Sequence, residues 1–330
     1  MLLKNIVIEK EHRKLERKLT KEFFRKRDFS KFEKDTIKLL KVQHFSAKTA
    51  YHRDFYNELK ANEDTLNEII EKLNEQSRNA VKKFINRLKY VSTHLYIDLI
   101  VDLFKNEEKL MKHLEKVNSY RDLKLHENLY EESVFGYHHG LVYLPKDRLR
   151  TIANKDFLDC GAFVGDSALI FEKFYNPKKI YSFEPDEESY DYIFNTIKIN
   201  KLKKVVPIKL GVGAKEGEVN FTHMSCASHV TQEKADTRIK LTTIDKFVFD
   251  NDLDVGVIKL DLEGYAYEAL QGAVRTIEKF RPVLLICVYH NAKEFVDGTK
   301  FVQDLDLDYN IKIKHLGGLI PATETHLIAW

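Results

Sequence analysis

The residues best suited to chemistry in this 330-residue chain stand at the ends of short apolar runs. One run ends in Asp159-Cys160-Gly161-Ala162-Phe163-Val164-Gly165-Asp166. Gly161 and Gly165 would let the backbone turn sharply and approach a ligand before a helix begins. Their G-x-x-x-G spacing departs from the G-x-G-x-x-G of a dinucleotide fingerprint. Carboxylates at Asp159 and Asp166 would repel a pyrophosphate and suit an ammonium or sulfonium, which disfavours nicotinamide and ATP. A second run ends in Phe183-Glu184-Pro185, and an acid at such a tip can accept two hydrogen bonds from a ribose diol. A third ends in Asp261-Leu262-Glu263-Gly264, where alternation puts both acids on one side if the strand persists. A fourth ends in Tyr289-His290-Asn291. His290 is the first candidate for a general base, because free imidazole titrates near neutral pH. Asp261 and Glu263 are the alternatives, and clustered acids raise one another's pKa. The leading assignment uses no metal. The same trio would alternatively offer hard ligands to a divalent ion holding a diol.

These tips need a scaffold, and glycine and proline mark where it starts. No Gly precedes Gly136 and no Pro precedes Pro145. Residues 1–126 therefore read as a helical region. Val81, Phe84, Leu88, Val91 and Leu95, followed by Leu99 and Leu103, form one apolar stripe, and Leu66, Ile70 and Leu73 form an earlier one. From residue 127 short apolar runs alternate with helical patterns. GLVYL at 140–144 reads as an entering strand, followed by strands at 157–161, 179–185, 205–213, 256–264 and 282–290. The intervals 166–175, 187–201 and 265–280 read as helices. Strand–helix repetition predicts a parallel sheet covered on both faces, with 310–316 and 325–330 pairing as a terminal hairpin. The segment 222–232 between hairpin strands carries His223, Ser225, Ser228 and His229, which would overhang the ligand.

Charge is uneven. Residues 1–50 hold 15 Lys/Arg against seven Asp/Glu, although the whole chain carries only +3. Such a basic stretch favours a membrane surface or another anionic partner, and a helical region would also permit homo-oligomers. The half beyond residue 150 holds more acids than bases and no nucleic-acid motif, which argues against a nucleic-acid substrate. Three scattered cysteines, Cys160, Cys226 and Cys287, suit a reducing cytoplasm, and no apolar run reaches spanning length.

The runs FLDCGAFVGDS, YSFEPDEESYDYIFNTIKIN, VIKLDLEGYAYEALQGA and RPVLLICVYH, in this order, resemble the FkbM family of S-adenosylmethionine-dependent methyltransferases across roughly residues 155–330. The resemblance implies an α/β fold: the Rossmann-like seven-stranded sheet of class I methyltransferases, with its last strand antiparallel, here preceded by the helical region. It implies S-adenosylmethionine as cofactor, with Asp159, Gly161 and Gly165 lining its methionine part. Ala162, Phe163 and Asp166 complete that turn. Glu184, beside Pro185, would bind the ribose hydroxyls, and Asp261 and Glu263 would lie near the sulfonium and the acceptor. The family pattern D-x-E-G-x-E has Ala266 in its last place here, which puts substrate positioning in question. The implied activity is O-methylation of a sugar in a surface polysaccharide, glycolipid or nucleotide-linked precursor. The alternatives are a nucleic-acid methyltransferase, or an interaction protein that binds the cofactor without turnover.

Overall fold

The computed structural model describes residues 49–93, 123–125, 130–222, 229–231, 237–317 and 323–330. The basic stretch up to residue 48, the stripe positions Leu95, Leu99 and Leu103, and His223, Ser225 and Ser228 lie outside these residues. Three helices come first: α1 (Thr49–Ala61), α2 (Glu63–Glu71) and α3 (Glu75–Thr93). Then follow α4 (Glu132–Phe135), a 3-10 segment at His138–Tyr143, and α5 (Lys146–Ile152). The α/β part begins with β1 (Asp156–Cys160), α6 (Asp166–Tyr175), β2 (Ile180–Phe183), α7 (Glu187–Asn200) and β3 (Val205–Ile208). Next come β4 (Gly211–Val212), β5 (Gly217–Thr222), β6 (His229–Thr231), β7 (Thr237–Thr242) and α8 (Ile244–Asp250). The chain closes with β8 (Val255–Leu260), α9 (Ala266–Gln271), α10 (Val274–Phe280), β9 (Val283–Cys287), α11 (Ala292–Asp304), β10 (Ile311–His315) and β11 (Thr325–Ala329).

The main sheet has seven strands in the order β10-β11-β9-β8-β1-β2-β3. β11 runs antiparallel between β9 and β10, while β9, β8, β1, β2 and β3 run parallel. This is the expected sheet, terminal hairpin included. β1, β8 and β9 are buried at every position, because apolar clusters cover both faces. Leu158, Ile258 and Leu284 face one cluster, and Phe157, Val257 and Leu285 face the other. A smaller sheet, β4-β7-β5-β6, stands beside it.

Four local expectations change. GLVYL is no strand: His139 and Gly140 hold φ of 52° and 104°, so the chain curls into a 3-10 turn that buries Leu141 and exposes Val142. The run 205–213 splits between the two sheets. The 265–280 interval becomes two helices broken at Gly272, where a Cβ would collide with the Gly213 carbonyl of the smaller sheet. The run at 256–264 leaves the sheet after Leu260.

The described N-terminal part is helical, and its stripes face the sheet domain. Val81, Phe84 and Leu88 are buried, as are Leu66 and Leu73, with Ile69 taking the middle place ahead of Ile70. They share one cluster with Phe295, Val302 and Ile313, and the Phe84 and Phe295 rings stack at 5.2 Å. α3 also screens the outer strand β10. The Ile313 N–H donates to Ser77 Oγ at 3.1 Å, and Asn74 Nδ2 donates to the Ile311 carbonyl at 3.2 Å. An edge strand covered in this way cannot pair with another chain.

Candidate active site

Strand order reverses between β1 and β8, which opens a crevice outside the carboxyl ends of β8, β1 and β2. The turn after β1 forms its floor. Gly161 and Gly165 take φ of 79° and 80°, and Phe163 also lies in the left-handed region at 46°. A Cβ on Gly161 would strike the Asp261 carbonyl oxygen, so only glycine lets the β1 and β8 ends meet. The Asp261 N–H donates to the Cys160 carbonyl at 3.0 Å and locks the two ends together.

Glu184 stands at the β2 tip as expected, 7% exposed. One carboxylate oxygen accepts from the Phe163 N–H at 2.8 Å, the other from the Asp186 N–H at 2.9 Å. Each oxygen retains a further lone pair for a hydroxyl. Burial pushes this carboxyl up to about 7, against the two backbone hydrogen bonds that favour its charge. Pro185 leads into Asp186, which caps α7 by accepting from the Ser189 N–H.

Asp159 stands elsewhere than on the turn. It is fully buried beneath it, 3.2 Å from Lys259 Nζ and 3.3 Å from Ser182 Oγ. Lys259 in turn donates to the Gly161 carbonyl and props the turn from below. Burial disfavours the ammonium, but Asp159 and Asp261 hold it above the ordinary lysine value. Asp166, at the start of α6, accepts from the Ser167 N–H at 2.6 Å, and burial raises its carboxyl to about 6.

Asp261, Glu263 and His290 come together. β8 ends at Leu260, so a turn brings the two acids round, with Glu263 at φ 49° and Gly264 at 99°. Asn291 fixes that turn by donating to the Gly264 carbonyl at 2.9 Å, while its own oxygen caps α11 through the Glu294 N–H. His290 Nε2 lies 3.5 Å from Asp261 Oδ1 and 3.6 Å from Glu263 Oε1. Its Nδ1 pairs with Glu294 at 2.8 Å. Burial alone would lower the imidazole pKa, but Glu294, Glu263 and Asp261 raise it to about 10. Burial pushes Glu263 up to about 7 against His290, although a third of its side chain is exposed. Against its own burial, Asp261 is held below the usual carboxylate range by Lys259 and His290.

Sequence reasoning missed Glu294. It is fully buried and also accepts from the Ala266 N–H at 3.2 Å. A carboxylate from α11 thus reaches the very residue where the family pattern would place its second Glu. The signal was available: Asn291 followed three residues later by Glu294 reads as a helix N-terminus. His229 begins β6, in the smaller sheet.

Residues 159–312 match the model of the methyltransferase FkbM domain. This stretch is similar to the FkbM methyltransferase domain over a little under half of the chain. A solved FkbM methyltransferase from Methylobacillus flagellatus KT has the same fold, with a TM-score of 0.57 over 84% of this chain and 61% of that one, at 19% identity. The hexuronic acid methyltransferase AglP of Haloferax volcanii is 23% identical over 157 residues, covering 46% of this chain and 63% of that protein. A tRNA(Phe) (4-demethylwyosine(37)-C(7)) aminocarboxypropyltransferase of Methanocaldococcus jannaschii is 24% identical over 151 residues, covering 42% and 60%. The match thus spans about three-fifths of the length of these curated relatives. Among the described residues, no helix is long and apolar enough to cross a membrane. The crevice fits S-adenosylmethionine, the cofactor of methyltransferases: its β1 turn admits close backbone approach, and Glu184 keeps acceptor capacity for a diol.

Proposed function

We propose that this FkbM domain methylates an oxygen, and that the acceptor is a sugar hydroxyl of a surface polysaccharide, glycolipid or nucleotide-linked precursor. The observation that carries the reading is the meeting, in one crevice, of a glycine turn beside Glu184 and the Asp261, Glu263 and His290 cluster. Gly161 through Gly165 would hold the methionine part of S-adenosylmethionine, Glu184 its ribose. Bound there, that cofactor would supply an electrophilic methyl group to the acceptor oxygen, the sulfur keeping the electron pair of the broken bond. The chain's part is to hold the acceptor oxygen in line and to receive its proton. His290 is the most enclosed of the three, its side chain 8% exposed and its Nδ1 paired with Glu294. The proton therefore goes to Glu263, whose side chain is 33% exposed against 23% for Asp261.

A sugar acceptor is supported by the hexuronic acid methyltransferase relative and by the charge of the crevice. Glu324 adds to the field of Asp261 and Glu263, which suits a hydroxyl-rich acceptor better than a phosphodiester backbone. The described cysteines, Cys160 and Cys287, are free and buried, in keeping with a cytoplasmic setting. The basic residues before position 50 would then bring the enzyme to an anionic surface that carries the glycan. The test is to incubate the full chain with S-adenosylmethionine and a panel of free, lipid-linked and nucleotide-linked sugars. Mass spectrometry should find one added methyl and NMR should place it on oxygen. A methyl on carbon or nitrogen, or methylation of RNA with every sugar left untouched, would overturn the reading.

A further inference from the structure

We propose that Asp261, Glu263 and His290 bind a divalent metal ion, through which the crevice grips neighbouring hydroxyls of the acceptor. The role toward the acceptor rests on the methyltransferase reading above, whereas the cation site itself stands on the three side chains. Their separations are the first argument. His290 Nε2 lies 3.5 Å and 3.6 Å from the two carboxylate oxygens, too far for charge-assisted hydrogen bonds of about 2.7–2.9 Å. Two ligands each about 2.1 Å from one ion can stand up to about 4.2 Å apart, so both gaps fit a shared ion.

The second argument is an aimed and unsatisfied donor. His290 is 7% exposed, and its Nε2 has no hydrogen-bond partner; nor has Asp261 Oδ1 opposite. Buried polar atoms left so are costly unless a ligand meets them. The other ring nitrogen is engaged in the way a metal-binding histidine requires. Nδ1 pairs at 2.8 Å with fully buried Glu294, which is itself held by the N–H groups of Ala266 and His290. A carboxylate behind the ring fixes its orientation and directs Nε2 outward. Asn291 and the Cys160 carbonyl clamp the turn that carries the two acids, so the donors sit on a rigid base.

Charge and donor type set the ion. Two carboxylates and one imidazole suit Mn²⁺ or Mg²⁺. Asp261 and Glu263 are partly exposed, so the remaining coordination positions open into the crevice, and Glu263 has a second oxygen for the acceptor's proton. A neighbouring group, His139, Cys287 and His326, differs in kind. It is wholly buried, so no coordination position would open into the crevice, and His139 Nε2 lies 2.8 Å from Ser167 Oγ and Cys287 Sγ 3.6 Å from His326 Nδ1.

The test is a titration of the purified full-length protein with Mn²⁺ alone, followed by electron paramagnetic resonance, beside calorimetry with S-adenosylmethionine on the same samples. One Mn²⁺ per chain is expected. Asp261→Asn and His290→Ala should abolish it, and Glu294→Gln should weaken it by about 10–100-fold. Glu263→Gln, at a partly exposed position, serves if the buried variants fail to fold, and should also lose the ion. Glu184→Gln should bind Mn²⁺ as wild type does. Absence of stoichiometric Mn²⁺ binding, or equal affinity in wild type and the ligand variants, would overturn the site. The two proposals fail separately. Sugar methylation by a chain that binds no Mn²⁺ removes the cation site, and Mn²⁺ binding lost in the variants with no sugar methylated removes the function.

Discussion

At the β1–β2 end of the crevice the polar groups are engaged with the chain itself, whereas at the β8–β9 end key atoms face one another without hydrogen bonds. Glu184 accepts two backbone N–H groups, and Asp159 pairs with Lys259 beneath the turn. Across the crevice, His290 Nε2 and Asp261 Oδ1 remain without hydrogen-bond partners. The first end is shaped before any ligand arrives, which suits a ligand of constant form such as a cofactor. The second keeps charge in reserve for a group that arrives and changes during the reaction. Gly161 is where the two meet, since its missing side chain lets the Asp261 carbonyl pass.

The contrast breaks most sharply in the acidic cluster beside His290. Replacing the neighbouring Glu263, the proposed proton acceptor, with Gln should slow single-turnover methyl transfer by roughly 10²–10⁴-fold with cofactor affinity unchanged. Parallel loss of cofactor affinity, read by calorimetry, would mean that the two ends are one structural unit. Lys259→Met comes next. It leaves Asp159 buried without its partner and should cost about 3–5 kcal/mol in denaturant unfolding. Pairing it with Asp159→Leu should recover much of that loss, since no buried charge then remains.

Glu184→Ala should act only on the cofactor, weakening it by about 1–3 kcal/mol while the rate at saturating cofactor holds. The pH dependence sharpens this. The carboxyl is raised to about 7, so the charged form that accepts ribose hydroxyls is lost as pH falls through that value. Wild-type cofactor affinity should therefore drop on acidification through neutrality, and that of Glu184→Gln should stay flat. The smallest effect on the site should follow removal of residues 1–126, which we propose as a helical region distinct from a methyltransferase domain at 127–330. All site residues lie beyond it, so cofactor affinity should persist. Thermal stability should fall, because Phe295 and Ile313 lose the cover of Phe84 and Ser77.

The strand tips were legible because each joins an apolar run to a local polar motif, and parallel sheets bury their strands on both faces. The helices read at 166–175 and 187–201 were legible as the intervals between those runs, and they form at 166–175 and 187–200. GLVYL misled because an apolar run of five does not distinguish a strand from a tight turn. The left-handed backbone at His139 and the packing of Gly140 against Ile328 decided it.

By itself the sequence determined the order of motifs, the glycine positions and the parallel α/β architecture, all of which depend on neighbours in the chain. Only tertiary structure decided where each charge goes. Asp159 and Glu184 look alike as acids at strand ends, yet one lies under the turn against Lys259 and the other at the crevice wall. Asp261 and Glu263 stand beyond the tip of β8 and His290 beyond that of β9, and pairing of the two strands sets them side by side. A buried charge is governed by whatever partner lies within a few ångströms, and that neighbour is chosen by the sheet, not by the residues adjacent in sequence.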